Sequence, residues 1–202
     1  MSVTLRAATQ SDAPAIHGLV SANIEAGHLL ARSIDEIREH ASRFLVAEAA
    51  DAVVGCAELA RLSRTVAEVR SLVVHESLRG QQIGTRLVAH LAGSASGSGY
   101  ETLCAFTHDP AHFVRLGFTI VPHIWMPEKI AHDCTGCALF RRCGQYAVRL
   151  MLRNGVAAAP ERTAAMIYGR GVAPRRANIE RLQLTPARGA QEHEREEEAV
   201  PA

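Results

Sequence analysis

Apolar positions recur with period two in some stretches of the chain and with helical period in others, and the two patterns predict the elements. Val3-Thr-Leu-Arg-Ala-Ala8 alternates as a first strand. Thr9-Gln-Ser-Asp12 carries N-cap chemistry and Pro14 suits a first turn, so Ile16, Leu19, Val20 and Ile24 form one stripe of a helix ending at Gly27. Ser33 with Glu36 is a capping box that opens a second helix, to His40. Phe44–Glu48 and Val53–Leu59 are strands around an Ala50-Asp51 turn. A strand from Val66 follows, with strand formers at Val69, Leu72, Val73 and Val74. Its alternation puts Glu68, Arg70, Leu72 and Val74 on one face and Val69, Ser71 and Val73 on the other. After a turn at Arg79-Gly80, Leu87, Val88, Leu91 and Ala92 fall on one face of a helix. Ser94–Gly99 reads as a loop, Glu101–Phe106 as a strand, Ala111–Leu116 as a short helix and Thr119–Val121 as a strand. Pro127–Cys134 reads as a loop with a short helix, and Gln145–Leu152 as a last strand. From Arg153 no period is sustained. The pattern predicts a domain over residues 1–152 and a mostly disordered tail over 153–202, with a helical turn near Ile179–Leu184.

The strand-turn-helix from Ala67 to Thr85 is the stretch around which the rest is organised. A glycine-bearing turn at a helix N-terminus leaves backbone N–H groups free at the positive end of the helix dipole, which suits a phosphate or pyrophosphate. It can equally be an ordinary connection. Neither GxGxxG nor GxxxxGK[ST] is present, so the dinucleotide and P-loop readings lose their main support. Glu68 and Arg70 stand on an otherwise apolar strand. They either sit exposed at its start or line a site.

Composition narrows the class. The 202 residues are 48% apolar, enough for one domain with a packed core. Net charge is +1 with no lysine/arginine block, so neither nucleic acid nor an anionic membrane is expected as a partner. There is no signal-peptide pattern, and no apolar run approaches the roughly 20 residues of a membrane span. Five cysteines without a secretion signal point to thiols rather than a disulfide framework. The expectation is a cytoplasmic α/β domain.

Three stretches carry a family resemblance. Arg79-Gly-Gln-Gln-Ile-Gly84 resembles the acetyl-CoA signature [Q/R]-x-x-G-x-[G/A] of the GNAT N-acetyltransferases, with Gln82 in place of its first glycine. The opening Leu5-Arg-x-Ala-Thr-x-x-Asp12 resembles the start of many GNAT domains, and His112-Phe-Val-Arg-Leu-Gly-Phe118 resembles the signature that closes them. The resemblance implies a central mixed, mostly antiparallel twisted sheet flanked by helices, an α/β (α+β) fold. Leu29–Ser33, Ala67–Leu72, Pro127-Glu-Lys129 and Asp133-Cys-x-x-Cys-x-x-Phe-x-x-Cys143 narrow it to the short amino-acid N-acetyltransferases of the N-acetylglutamate synthase type, over residues 3–152. This implies acetyl-CoA as co-substrate, glutamate as acceptor in the first step of arginine biosynthesis and, by analogy, a homodimer.

The reaction dictates the candidate residues. An amine attacks the thioester carbon, so a base must take its proton, donors must hold an oxyanion, and an acid helps the thiolate leave. Glu68 is the candidate base, directly or through water; the alternative is a strand-end charge paired with Arg70. The expected acetyl-CoA residues are Leu72, Val73, Val74, Arg79, Gly80, Gln81, Gln82, Ile83, Gly84 and Thr85, with a backbone N–H near Leu72–Val74 polarising the carbonyl if the strand splays there. Many GNAT enzymes have a tyrosine where Phe113 stands. Thr107 and His108 are substitutes for it as the acid, and solvent is the alternative. A glutamate acceptor needs cations, for which Arg32, Arg70 and Lys129 are candidates, each readable as a surface charge instead. Cys134, Cys137 and Cys143 could hold zinc or an iron–sulfur centre with His123 or His132, or be three reduced thiols; Cys56 and Cys104 read as core residues. Rival functions are an acetyltransferase for another small amine and a CoA-binding regulatory module that has lost turnover.

Overall fold

In the computed structural model, which describes residues 2–24, 29 and 31–152, seven strands form one sheet. The strands are β1 (Thr4–Ala7), β2 (Phe44–Ala49), β3 (Ala52–Arg61), β4 (Val66–Val74), β5 (Thr102–Thr107), β6 (Thr119–Val121) and β7 (Tyr146–Met151). Their order is β1-β2-β3-β4-β5-β7-β6. All neighbours are antiparallel except β4 and β5. The helices are α1 (Ala13–Ser21), α2 (Ile34–Glu39), α3 (Ile83–Gly97) and α4 (Pro110–Arg115). Gly27 and residues 153–202, where a helix end and a tail were expected, lie outside the described residues.

The alternation read along the strands sorts them onto two faces. One face packs Leu45, Ala57, Ala67, Val69, Leu103 and Val148 against the apolar stripe of α3 and Phe113 of α4. On the other, Phe44, Val46, Cys56 and Val73 meet Ile16 and Val20 of α1 and Ile37 of α2. Cys104 and Ala147 on that second face pack with Val121 and Met126. Local chemistry sets the joints as expected. Ala50 and Asp51 turn with φ of 47° and 60°, a two-residue hairpin geometry matched to strand twist. The Ser33 hydroxyl accepts from the Glu36 N–H at 3.1 Å, capping α2. Arg6 joins Asp12 at 2.8 Å and Glu48 at 2.6 Å, tying β1 to β2 and to the turn before α1.

Three expectations are corrected. α1 ends at Ser21, so Ile24, expected on its apolar stripe, lies in a turn beyond it. Ser94–Gly97 is helix, not loop: α3 runs to Gly97, and Gly99 with φ +83° ends the run. Small side chains there match close packing, as Ala95 is fully buried. The alternation of β4 also breaks in mid-strand. Ser71 has φ of 49°, and the register slips between Cys56 and Glu58 of β3, which face Val73 and Arg70. This is a β-bulge, one extra residue on β4. Leu72 and Val74 therefore join Val69 on the α3 face, opposite to Glu68 and Arg70, instead of sharing their face.

Candidate active site

The β4–β5 ladder covers only Val66–Glu68 against Thr102–Cys104. Beyond it the two strands have no ladder between them, and a cleft of about 800 Å³ opens there. Val69–Val74 line one wall and Ala105–Thr107 the other. The bulge at Ser71 lies inside the opening, so β4 presents its charged face upstream and its apolar face downstream. The cleft connects two chemically different ends.

One end is the turn before α3. Gly80 has φ +80° and Gln82 caps the helix in the left-handed region, φ 60° and ψ 14°. The first helical bond runs from the Arg86 N–H to the Gln82 carbonyl at 3.0 Å, which leaves the amides of Ile83, Gly84 and Thr85 without a partner within the helix. That is a cradle made of backbone. Arg79 and Gly84 line the cleft; Gly80, Gln81 and Gln82 form the exposed turn beyond them. Ile83 offers only its amide, because its side chain is 2% exposed in the core under α3. His112 of α4 packs against Gly84, where a Cβ would meet its Nε2 at 3.6 Å, and that nitrogen is buried without a hydrogen-bond partner. Burial, aided by the charge of Arg115, lowers its pKa and keeps the ring neutral.

The other end holds the predicted cations, and the structure brings Arg32, Arg70 and Lys129 together with Glu68 on one cleft. All three are ion-paired within the protein. Glu68 is 2% exposed. Its carboxylate accepts from Arg70 Nε at 2.5 Å and from Lys129 Nζ at 2.7 and 2.9 Å. Arg70 also reaches Asp133 through Nη2, and Lys129 Nζ lies 2.8 Å from the same Asp133 oxygen. His132 Nδ1 meets the other Asp133 oxygen at 2.8 Å. Burial pushes the Asp133 carboxyl up, but hydrogen bonds from Lys129 and His132 and the charges of Lys129 and Arg70 outweigh it and hold it down at about 2. Arg32 binds Glu58 through Nη1, spans Glu36 at 3.0 and 2.7 Å, and stacks 5.5 Å from the Phe44 ring centroid. Its Nη1 is also 3.3 Å from the bulge hydroxyl of Ser71.

The remaining candidates divide. Thr107 lines the cleft, but its hydroxyl donates to the Asp109 carbonyl at 3.2 Å and accepts the Asp109 N–H at 3.1 Å, serving the turn into α4. His108 also lines it. Cys134, Cys137 and Cys143 sit at the rim as free thiols. The metal centre considered for them is not met: no group of three or more His, Cys, Asp or Glu that could hold a metal exists among the described residues. His123 is spent on the Gln145 carbonyl at 2.7 Å and on the Phe106 ring, and His132 on Asp133. Cys56 and Cys104 are fully buried, and burial pushes the Cys56 thiol up to about 12. Sequence reasoning missed Glu58, Asp133 and the bulge at Ser71. A glutamate inside the apolar run of β3 was the available signal for Glu58. Asp133 stood at the head of the cysteine-bearing segment that carried the resemblance, with no role assigned to it.

Comparison with known proteins agrees with this geometry. The acetyltransferase (GNAT) domain model matches residues 40–120. An uncharacterised N-acetyltransferase of Chlorobaculum tepidum is 33% identical over 71% of this chain and 93% of its own length. The amino-acid acetyltransferase of Shewanella oneidensis is 33% identical over 62% of this chain, which spans only 28% of that protein. The crystal structure of N-acetylglutamate synthase from Neisseria gonorrhoeae, complexed with coenzyme A and N-acetyl-glutamate, superposes with a TM-score of 0.68 at 26% identity, over 76% of this chain and 36% of that one. No helix among the described residues is long and apolar enough to cross a membrane. With a GNAT sheet split between β4 and β5 and a relative aligned over nearly its whole length, this chain belongs to the GNAT family of N-acetyltransferases.

Proposed function

We propose that the protein transfers the acetyl group of acetyl-CoA to the α-amine of a free amino acid, with L-glutamate as acceptor, as in the first step of arginine biosynthesis. The observation that carries this reading is the convergence of Arg32, Arg70 and Lys129 around the buried Glu68 at one end of a cleft whose other end is a backbone anion cradle. Acetyl-CoA lies with its pyrophosphate at the free amides of α3 and its thioester in the opening between β4 and β5. The Leu72–Val74 backbone, turned by the bulge, polarises the thioester carbonyl. The acceptor's carboxylates are held by the arginines and the lysine. Glu68 takes the amine proton, directly or through water, once the acceptor draws Arg70 and Lys129 toward itself. The amine then attacks, the C–S bond breaks, and the thiolate is protonated by solvent or by Thr107 after its bond to Asp109 opens.

A second reading, an acceptor with a single carboxylate, draws support from the charge count. Four carboxylates (Glu36, Glu58, Glu68, Asp133) surround the three cations. Purified protein with acetyl-CoA and a panel of amino acids, polyamines and aminoglycosides, followed by released thiol, tests both. Selective turnover of L-glutamate is the expected result. Selective turnover of glutamine favours the second reading. Turnover of polyamines alone, or binding of acetyl-CoA without turnover of any amine, overturns both.

A further inference from the structure

Two carboxylates hold the same two cations, and they are unequal. Glu68 comes from a central strand, is 2% exposed, and contacts Arg70 and Lys129 with both oxygens. Asp133 comes from a short π-helical turn, Ile130–Cys134, and its side chain is 31% exposed. It places one oxygen against both Arg70 Nη2 and Lys129 Nζ, and it lines the cleft with them. Single π-turns interrupt regular backbone hydrogen bonding and recur at functional sites. A half-buried carboxylate on such a turn regains water when it leaves, whereas Glu68 is enclosed on a central strand.

We propose that Asp133 determines the acceptor specificity of this site: its carboxylate occupies the seat between Arg70 and Lys129 that a carboxylate of the acceptor takes, and the acceptor binds by displacing it. This rests on the reading that those two cations receive the acceptor. While Asp133 is seated, the end of the cleft repels a second negative charge. When it swings out, the same cations are exposed to a ligand of like geometry. Asp133 is thus a resident competitor, and it raises the apparent Kd by the reciprocal of the fraction of time the seat is open. The competition penalises an acceptor or analogue in proportion to its need for that seat, so a dicarboxylate is penalised more than its monoamide.

The test compares wild-type protein with Asp133→Asn, which keeps the side-chain volume but loses the charge, and with Asp133→Ser, which guards against a misfolded or newly hydrogen-bonded asparagine. Glutarate, a dicarboxylate without the amine, is the binding probe, read by titration calorimetry in the presence of CoA. KM for L-glutamate, L-glutamine and acetyl-CoA is measured in parallel. If Asp133 is seated about nine-tenths of the time, both variants bind glutarate roughly tenfold more tightly and lower the glutamate KM to a similar extent, with glutamine moving less and acetyl-CoA unchanged. Unchanged or weaker glutarate binding in both folded variants overturns the proposal, because it makes Asp133 a support for Arg70 and Lys129 rather than their competitor. Failure of wild-type protein to acetylate any amino acid instead overturns the functional reading, a result distinct from the glutarate titration.

Discussion

The two ends of the cleft solve the same problem, holding an anionic group, with different materials. At the α3 end the holding groups are backbone amides, fixed by a turn with φ of +80° at Gly80 and 60° at Gln82. At the other end, proposed to take the acceptor, they are side chains, each already paired: Arg32 with Glu36 and Glu58, Arg70 and Lys129 with Glu68 and Asp133. A backbone cradle is largely indifferent to side chains, which is why a glutamine can stand where the family motif has glycine. A side-chain lattice is the reverse. Every member neutralises another, so changing one alters its neighbours' charge and position together.

Substitutions that strand a charge break the comparison most strongly. Glu58→Ala leaves the 11%-exposed Arg32 without its buried partner. Glu36 still pairs with Arg32, so a loss of about 2–3 kcal/mol is expected, seen as a fall of roughly 5–10 °C in a calorimetric melt. Glu36, whose side chain is 45% exposed, should cost under about 1 kcal/mol when replaced by alanine. Glu68→Gln should lower kcat by about a hundredfold or more while acetyl-CoA affinity stays unchanged. Unaltered kcat would remove Glu68 as the base.

Acid acts more gradually, on Asp133 of that lattice and on the separate Arg6–Asp12 pair. Arg6 holds Asp12 well below the usual carboxylate range, and Asp133 lies at about 2. Both are depressed relative to an unfolded value near 3.9, so the stability they contribute is present above about pH 4 and is lost as pH falls toward 2. Circular dichroism during acid titration should show a shallower loss for Asp12→Asn than for wild type. The smallest effect belongs to the cradle. Gln82→Gly relieves a left-handed non-glycine residue and should change stability by less than about 1 kcal/mol and the acetyl-CoA KM by less than about threefold. A large loss on that substitution would mean that the Gln82 side chain, not its backbone, contacts the cofactor.

The turn before α3 was legible in the sequence because glycine spacing and helix onset are local. The strands, the α2 cap and the Ala50-Asp51 turn were legible for the same reason. The acceptor end was legible only in part. Arg32, Arg70 and Lys129 could be chosen by residue type, but their internal partners depend on sheet register and on a loop 63 residues away from Arg70. Periodicity also failed at Ser71, because a bulge leaves the composition of a strand untouched while reversing its faces.

That reversal has a consequence for how the chain can change. β4 is read in two frames: Glu68 and Arg70 in one, Leu72 and Val74 in the other, with Ser71 as the spacer between them. Point substitutions keep both frames, whereas removal of a single residue between them would merge the two. Either the buried carboxylate of Glu68 would turn into the hydrophobic layer beneath α3, or the valine and leucine of that layer would turn out of it. The length of this strand is therefore as much a part of the active site as the identity of any residue on it.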